Sequence, residues 1–125
     1  MGQTKILIVE DDMDQLIGLK VRLQAHQYTV VHASDGVNAI SAARREKPDV
    51  ILLDIGLPAG NGFVVMDRLH RLVDVAHVPI IIVSARDAAS YAEEAINDGA
   101  YAFLQKPVDN QELLDTIESA LATVA

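Results

Sequence analysis

The chain has 125 residues, half of them hydrophobic, no cysteine and a formal net charge of −8, which suits one globular domain with a real core and excludes disulfide staples and thiolate metal sites. An acidic surface repels phosphate backbones, arguing against direct nucleic-acid binding by this domain, and no apolar run approaches membrane-spanning length. One lysine and four apolar residues before Glu10-Asp11-Asp12 are too short and too acidic for a secretory signal, so a cytoplasmic protein is expected.

Lys5 to Val9 is a short apolar run and reads as a first buried strand. Asp14 is the candidate N-cap of a helix to about Ala25, with Leu16, Leu19 and Leu23 on one face and Ile17 and Val21 beside them. Tyr28 to His32 is a second strand, more polar and so nearer an edge. Ser34-Asp35-Gly36 is a turn signal; Val37, Ile40 and Ala43 then mark a second helix ending near Glu46. Pro48-Asp49 closes that loop before Val50-Ile51-Leu52-Leu53, a strand apolar throughout that runs into Asp54. Gly60-Asn61-Gly62 is a further turn. Phe63, Met66 and Leu69 define a third helix, over before Val78-Pro79, and Ile80 to Val83 form a fourth strand ending in Ser84.

Asp87 to about Asn97 reads as a fourth helix with Gly99 as its C′ residue. Its anchors Ala88, Ala92, Ala95 and Ile96 are mostly small and bury little apolar area, which predicts the least firmly held helix. Ala102 to Leu104 is a fifth strand. Lys106-Pro107 follows, and Asp109-x-x-Glu112 is a capping-box pattern opening a last helix through Leu113, Leu114, Ile117 and Leu121.

Five strands thus alternate with five helices across residues 1–125, with no linker or repeat that would mark a second domain. Apolar strands each followed by an amphipathic helix imply an α/β fold with a parallel sheet covered on both faces. Right-handed crossovers make it a three-layer doubly wound (βα)5 sandwich, for which 2-1-3-4-5, the flavodoxin-like arrangement, is a common strand order.

Ligands bind such sheets beyond the carboxyl ends of the strands, and the residues ending each strand carry chemistry. Strand 1 ends in Glu10-Asp11-Asp12, strand 3 in Asp54, strand 4 in Ser84 and strand 5 in Lys106. Clustered carboxylates repel by about 3 kcal/mol per pair at an effective dielectric near 20. A hard divalent cation such as Mg²⁺, which takes one or two carboxylates, a carbonyl and waters, offsets that repulsion. A lysine and a hydroxyl beside the same carboxylate suit a phosphoryl oxygen, and the set describes a site that accepts a phosphoryl group on a carboxylate. Taken singly, each acid reads as a cap or turn residue, Ser84 as a strand end and Lys106 as a loop lysine. Their coincidence at four adjacent strand ends favours the functional reading.

At these residues the chain resembles, end to end, the receiver domains of bacterial two-component response regulators. The matching pieces are Glu10-Asp11-Asp12, Leu53-Asp54 with Pro58 and Asn61-Gly62, Val83-Ser84-Ala85, and Gly99-Ala100 through Phe103 to Lys106-Pro107. The resemblance implies that Asp54 is the phosphoacceptor, that Glu10, Asp11, Asp54 and the Gly56 carbonyl hold Mg²⁺ (with Mn²⁺ able to substitute), and that Ser84, Lys106 and the amides of Gly56 and Ala85 contact the phosphoryl group. Asp12 is the extra acid, read as a cap or outer group. It further implies a sensor histidine kinase or phosphotransfer protein as donor, and a switch in which Ser84 moves and Phe103 swings inward. That switch would change the face formed by helix 4, strand 5 and helix 5 toward an output domain or partner. It strengthens the Lys106–Pro107 bond as a cis candidate. Such a domain modifies itself and is not an enzyme with a free substrate.

Asn61 stands where Asp is usual in the family, and Gly56 and Arg86 occupy positions that tune the lifetime of the acyl phosphate. Tyr101-Ala102 stands where receivers of the winged-helix class carry acids, which favours a monomer. A flavodoxin is a rival of the same architecture, but Glu10-Asp11-Asp12 would repel its flavin phosphate. An aspartyl phosphatase of the haloacid dehalogenase type would need a second acid where Gly56 stands. A receiver-like module that is never phosphorylated is the third rival, weakened by the complete set of side chains. His26, His32, His70 and His77 lack ligand spacing and read as surface or loop residues, and Arg44-Arg45 as a solvated helix face.

Overall fold

β1 (Lys5–Val9), β3 (Val50–Leu53) and β4 (Ile80–Ser84) bury nearly every residue. Strands with no polar face have only one place in a sheet, its middle. In the computed structural model, which describes residues 3–57 and 62–123, they are flanked by the more exposed β2 (Thr29–Ala33) and β5 (Ala102–Gln105). All five are parallel, in the order β2-β1-β3-β4-β5. The expected fold and strand order are the ones found.

Alternation along the strands divides the core into two layers. Leu7, Val9, Ile51, Leu53, Ile80 and Ile82 face α2 (Gly36–Glu46), α3 (Gly62–His70) and α4 (Ala88–Asn97). Ile6, Ile8, Val50, Leu52, Ile81 and Val83 face α1 (Met13–Ala25) and α5 (Asn110–Thr123). Among the described residues no helix is long and apolar enough to cross a membrane.

Several local expectations are corrected. Asp12, not Asp14, caps α1, its carboxylate accepting the Gln15 amide. The β2 strand runs one residue later than expected, and β5 runs one residue longer. Gly36, part of the expected turn, is the first residue of α2, capped by Asp35; α3 ends before Val78-Pro79 as expected, at His70, with turns filling the interval to β4. Ile17 and Val21, beside the buried leucines of α1, and Val37 of α2 are exposed, because the sheet covers a narrower stripe of each helix than its apolar residues span. Of the four expected α4 anchors only Ala95 is buried, and Ile96 is 47% exposed, which makes the hold on α4 slighter still. Asp109 does cap α5 through the Glu112 amide, Gly99 takes φ +107° after α4, and Lys106–Pro107 is cis. Pro58 and the Gly60-Asn61 part of the expected turn lie outside the described residues.

Two glycines separate a close approach from an open surface. A Cβ at Gly62 would lie 2.6 Å from Ile55 Cα and 2.7 Å from the Asp54 carbonyl oxygen, both backbone atoms, whereas one at Gly18 meets nothing within 4 Å. Gly62→Ala is therefore expected to destabilise by about 2–3 kcal/mol, and Gly18→Ala, mid-helix, to stabilise by about 0.5–1 kcal/mol. Chemical denaturation of the two variants checks the opposite signs.

Candidate functional site

Register brings the strand ends together. Val9 pairs with Leu53, and the Asp54 amide donates to the Val9 carbonyl at 3.2 Å, so Glu10 and Asp54 emerge side by side. Ser84 pairs with Gln105, and the Lys106 amide donates to the Ser84 carbonyl at 2.8 Å, which places Lys106 at the same edge.

Glu10, at 2% exposure, is the buried acid of the group. Its carboxylate accepts the Asp12 amide at 3.1 Å and the Lys106 ammonium at 2.5 Å. Asp54 is partly buried; Oδ1 accepts the Gly56 amide at 2.8 Å and Oδ2 accepts Lys106 at 3.2 Å. Asp11 is exposed. One carboxylate oxygen from each of Glu10, Asp11 and Asp54 lies within 4.8 Å of the others. An all-oxygen, all-acidic donor set with one open side suits a hard cation such as Mg²⁺ or Ca²⁺ and not a thiophilic or imidazole-seeking metal.

Lys106 answers the buried negative charge. Its Nζ donates to Glu10, Asp54 and the Gln15 side-chain carbonyl, which uses all three ammonium protons. Burial works to lower its pKa, but the hydrogen bond to Glu10 and the fields of Asp54 and Glu10 outweigh that and hold it above the ordinary lysine value. The ammonium is therefore charged at neutral pH.

Ser84 is fully buried, and its Oγ accepts the Arg86 amide at 3.0 Å, so its own proton is not engaged in that bond. Ala85 is exposed beside Lys106 and Pro107 on a groove of about 470 Å³ against α1. Phe103 is half-buried against the layer that holds α2, α3 and α4. Asp12 stands aside as a helix cap. His26 and His77 are exposed, His70 packs against Gly99, and Arg44 and Arg45 are exposed and ion-paired with Asp74 and Glu46.

Two participants escape sequence reasoning: Gln15 reaches Lys106, and His32 Nε2 bonds the Glu10 carbonyl oxygen at 3.1 Å. Arg86, expected near the site, borders Gly56.

Residues 6–118 match the family model described as "Response regulator receiver domain". The chain is 37% identical over 118 residues to protein PilH of Pseudomonas aeruginosa, covering 94% of this chain and 98% of that one. It is 33% identical over 118 residues to the transcriptional regulatory protein KdpE of Mycobacterium tuberculosis, covering 94% of this chain but 51% of that protein. Among solved structures it superposes on a CheY-like receiver domain from Methanospirillum hungatei with TM-score 0.89 at 28% identity, covering 98% and 97% of the two chains. It also superposes on the receiver domain of a Pseudomonas aeruginosa sensor histidine kinase with magnesium in its active-site cleft, with TM-score 0.88, 28% identity and coverage of 98% and 99%. Sequence, fold and site agree, and the chain belongs to the response regulator receiver domains, the phosphorylation switches of two-component signalling.

Proposed function

We propose that Asp54 accepts a phosphoryl group from a phosphohistidine on a sensor histidine kinase or phosphotransfer protein. The observation that carries this is Lys106 bridging Glu10 and Asp54 beside three converging carboxylates. An Asp54 oxygen bonds phosphorus as the phosphorus–nitrogen bond to the donor histidine breaks; the imidazole leaves, and water later returns the carboxylate. Glu10, Asp11, Asp54 and the Gly56 carbonyl would hold Mg²⁺, or Mn²⁺ in its stead, which supplies charge neutralisation on the transferring group. Lys106 neutralises the same charge from the protein side, and Ser84 and the amides of Gly56 and Ala85 donate to the phosphoryl oxygens. The protein consumes its own side chain, so this is self-modification, not turnover. Mg²⁺-dependent mass gain from a small acyl phosphate, abolished by a chelator, tests the reading; labelling that ignores the chelator contradicts it.

The Ser84 hydroxyl, drawn to the new oxygens, vacates space that Phe103 then fills, shifting the α4–β5–α5 face toward an output domain or partner. Its half-burial against the α4 layer supports Phe103 in that part.

A docking surface for the phosphodonor lies beside the site. Met13, Ile17 and Val21 stand on successive turns of α1 at 56%, 52% and 61% exposure, next to the groove lined by Gly18, Arg22, Lys106 and Val108. A contiguous exposed apolar stripe marks a protein contact. Ile17→Glu is expected to slow transfer from the partner about tenfold while leaving labelling by the small acyl phosphate unchanged. Equal loss with both donors would place the effect in the site instead.

A further inference from the structure

The backbone that joins two of the three converging acids is held from the edge of the sheet. The Glu10 amide donates to the Ala33 carbonyl at 3.0 Å. The next rung of a parallel ladder would need an amide beyond Ala33 to donate to the Glu10 carbonyl. β2 has ended there, and Asp35 already caps α2. The side chain of His32 supplies the donor instead, its Nε2 lying 3.1 Å from the Glu10 carbonyl oxygen. A carbonyl only accepts, so Nε2 carries the proton. Among the described residues no other group donates to this oxygen.

The three carboxylates are not equally secured. Those of Glu10 and Asp54 share the Lys106 ammonium, and each also accepts a backbone amide. Among the described residues nothing bonds the Asp11 carboxylate, although one of its oxygens lies within 4.8 Å of an oxygen of each of the others. Like charges so close repel, so Asp11 is the acid able to swing away, and its backbone alone keeps it in place. We propose that His32 is a positioning residue for the divalent-cation site: by holding the Glu10–Asp11 peptide it keeps the Asp11 carboxylate converged on the other two. This rests on the reading of these acids as the holders of Mg²⁺. The peptide is planar, so a bond to its oxygen restrains the rotations on both sides of it, ψ of Glu10 and φ of Asp11. Without that bond the peptide turns and Asp11 relaxes outward, and drawing it back costs affinity for the cation. Partners that orient a ligand act in this way, through the ligand and not on the reacting atoms. Once the cation is bound, the chemistry at Asp54 is unchanged.

The test titrates Mg²⁺ into the natural protein, His32→Phe and His32→Gln, reading the Asp54 and Gly56 amides by NMR with no phosphodonor present. Phenylalanine keeps a ring but has no donor; glutamine restores an N–H at nearly the reach of Nε2. His32→Phe should weaken Mg²⁺ binding about tenfold, and His32→Gln should return most of it. Labelling by a small acyl phosphate should need about ten times more Mg²⁺ for half its maximal rate in His32→Phe, yet reach the natural rate at saturation. In the natural protein the ring nitrogen shifts should show the proton on Nε2. Natural Mg²⁺ affinity in His32→Phe overturns the proposal and leaves Asp54 as acceptor, as does a proton found on Nδ1 alone. Equal weakening in both variants, or a lowered rate at saturation with unchanged affinity, also overturns it, since neither follows from the lost donor. Amides of the natural protein that ignore Mg²⁺, together with no labelling, overturn both readings.

Discussion

Replacing Asp54 by alanine is expected to lower Mg²⁺-dependent labelling by a small acyl phosphate by on the order of a hundredfold or more, because the oxygen that would bond phosphorus is gone. The fold should survive the change. Asp54 is one of three carboxylates whose oxygens crowd within 4.8 Å, so its removal relieves repulsion, and Lys106 keeps Glu10 and Gln15 as acceptors. Lost labelling with undiminished stability to denaturant therefore reads as lost chemistry and not as unfolding. Labelling of the variant at the natural rate would take the acceptor role away from Asp54, and peptide mapping would then show which carboxylate carries the mass.

What the sequence made legible and what it hid follow one physical line. Asp54, Ser84 and Lys106 could be found because each interrupts a run of apolar residues, and a parallel sheet brings such interruptions to one edge. The strand order is the common one for a doubly wound sheet, and the more polar β2 lies at an edge, as its composition suggests. Asp14 is the wrong candidate for the α1 cap, and Asp12, read as a cap or outer group, is the right one, because a cap is chosen by backbone geometry and two acids two residues apart satisfy the same pattern. The exposure of Ile17, Val21, Val37 and Ile96 is not legible in the sequence, because periodicity shows which side of a helix is apolar, not how much of that side the sheet reaches. Gln15 and His32 join the site through side-chain reach across separate segments, and no spacing rule reports that.

Lys106→Met carries the second large effect, and it separates structure from chemistry. In the metal-free protein the ammonium is the counter-charge for Glu10, whose side chain is 3% exposed, and for Asp54, at 13%. Removing one partner from a buried ion pair leaves the other uncompensated, which costs about 3 kcal/mol. A divalent cation binding the folded acids should restore part of that, about 1.4 kcal/mol at ten times its Kd. The pH dependence follows from the direction of the Lys106 shift. Because its folded pKa is raised, its stabilising contribution is complete below the ordinary lysine value and is lost as pH rises through the folded value. Natural protein and variant should thus differ most at neutral pH and converge only in alkaline solution above the raised folded value. Labelling of the variant should stay about a hundredfold slow even at saturating Mg²⁺, since the metal replaces the charge beneath the carboxylates but not the donor to the phosphoryl oxygen. If saturating Mg²⁺ returned both stability and labelling to the natural values, Lys106 would be a structural counter-ion alone.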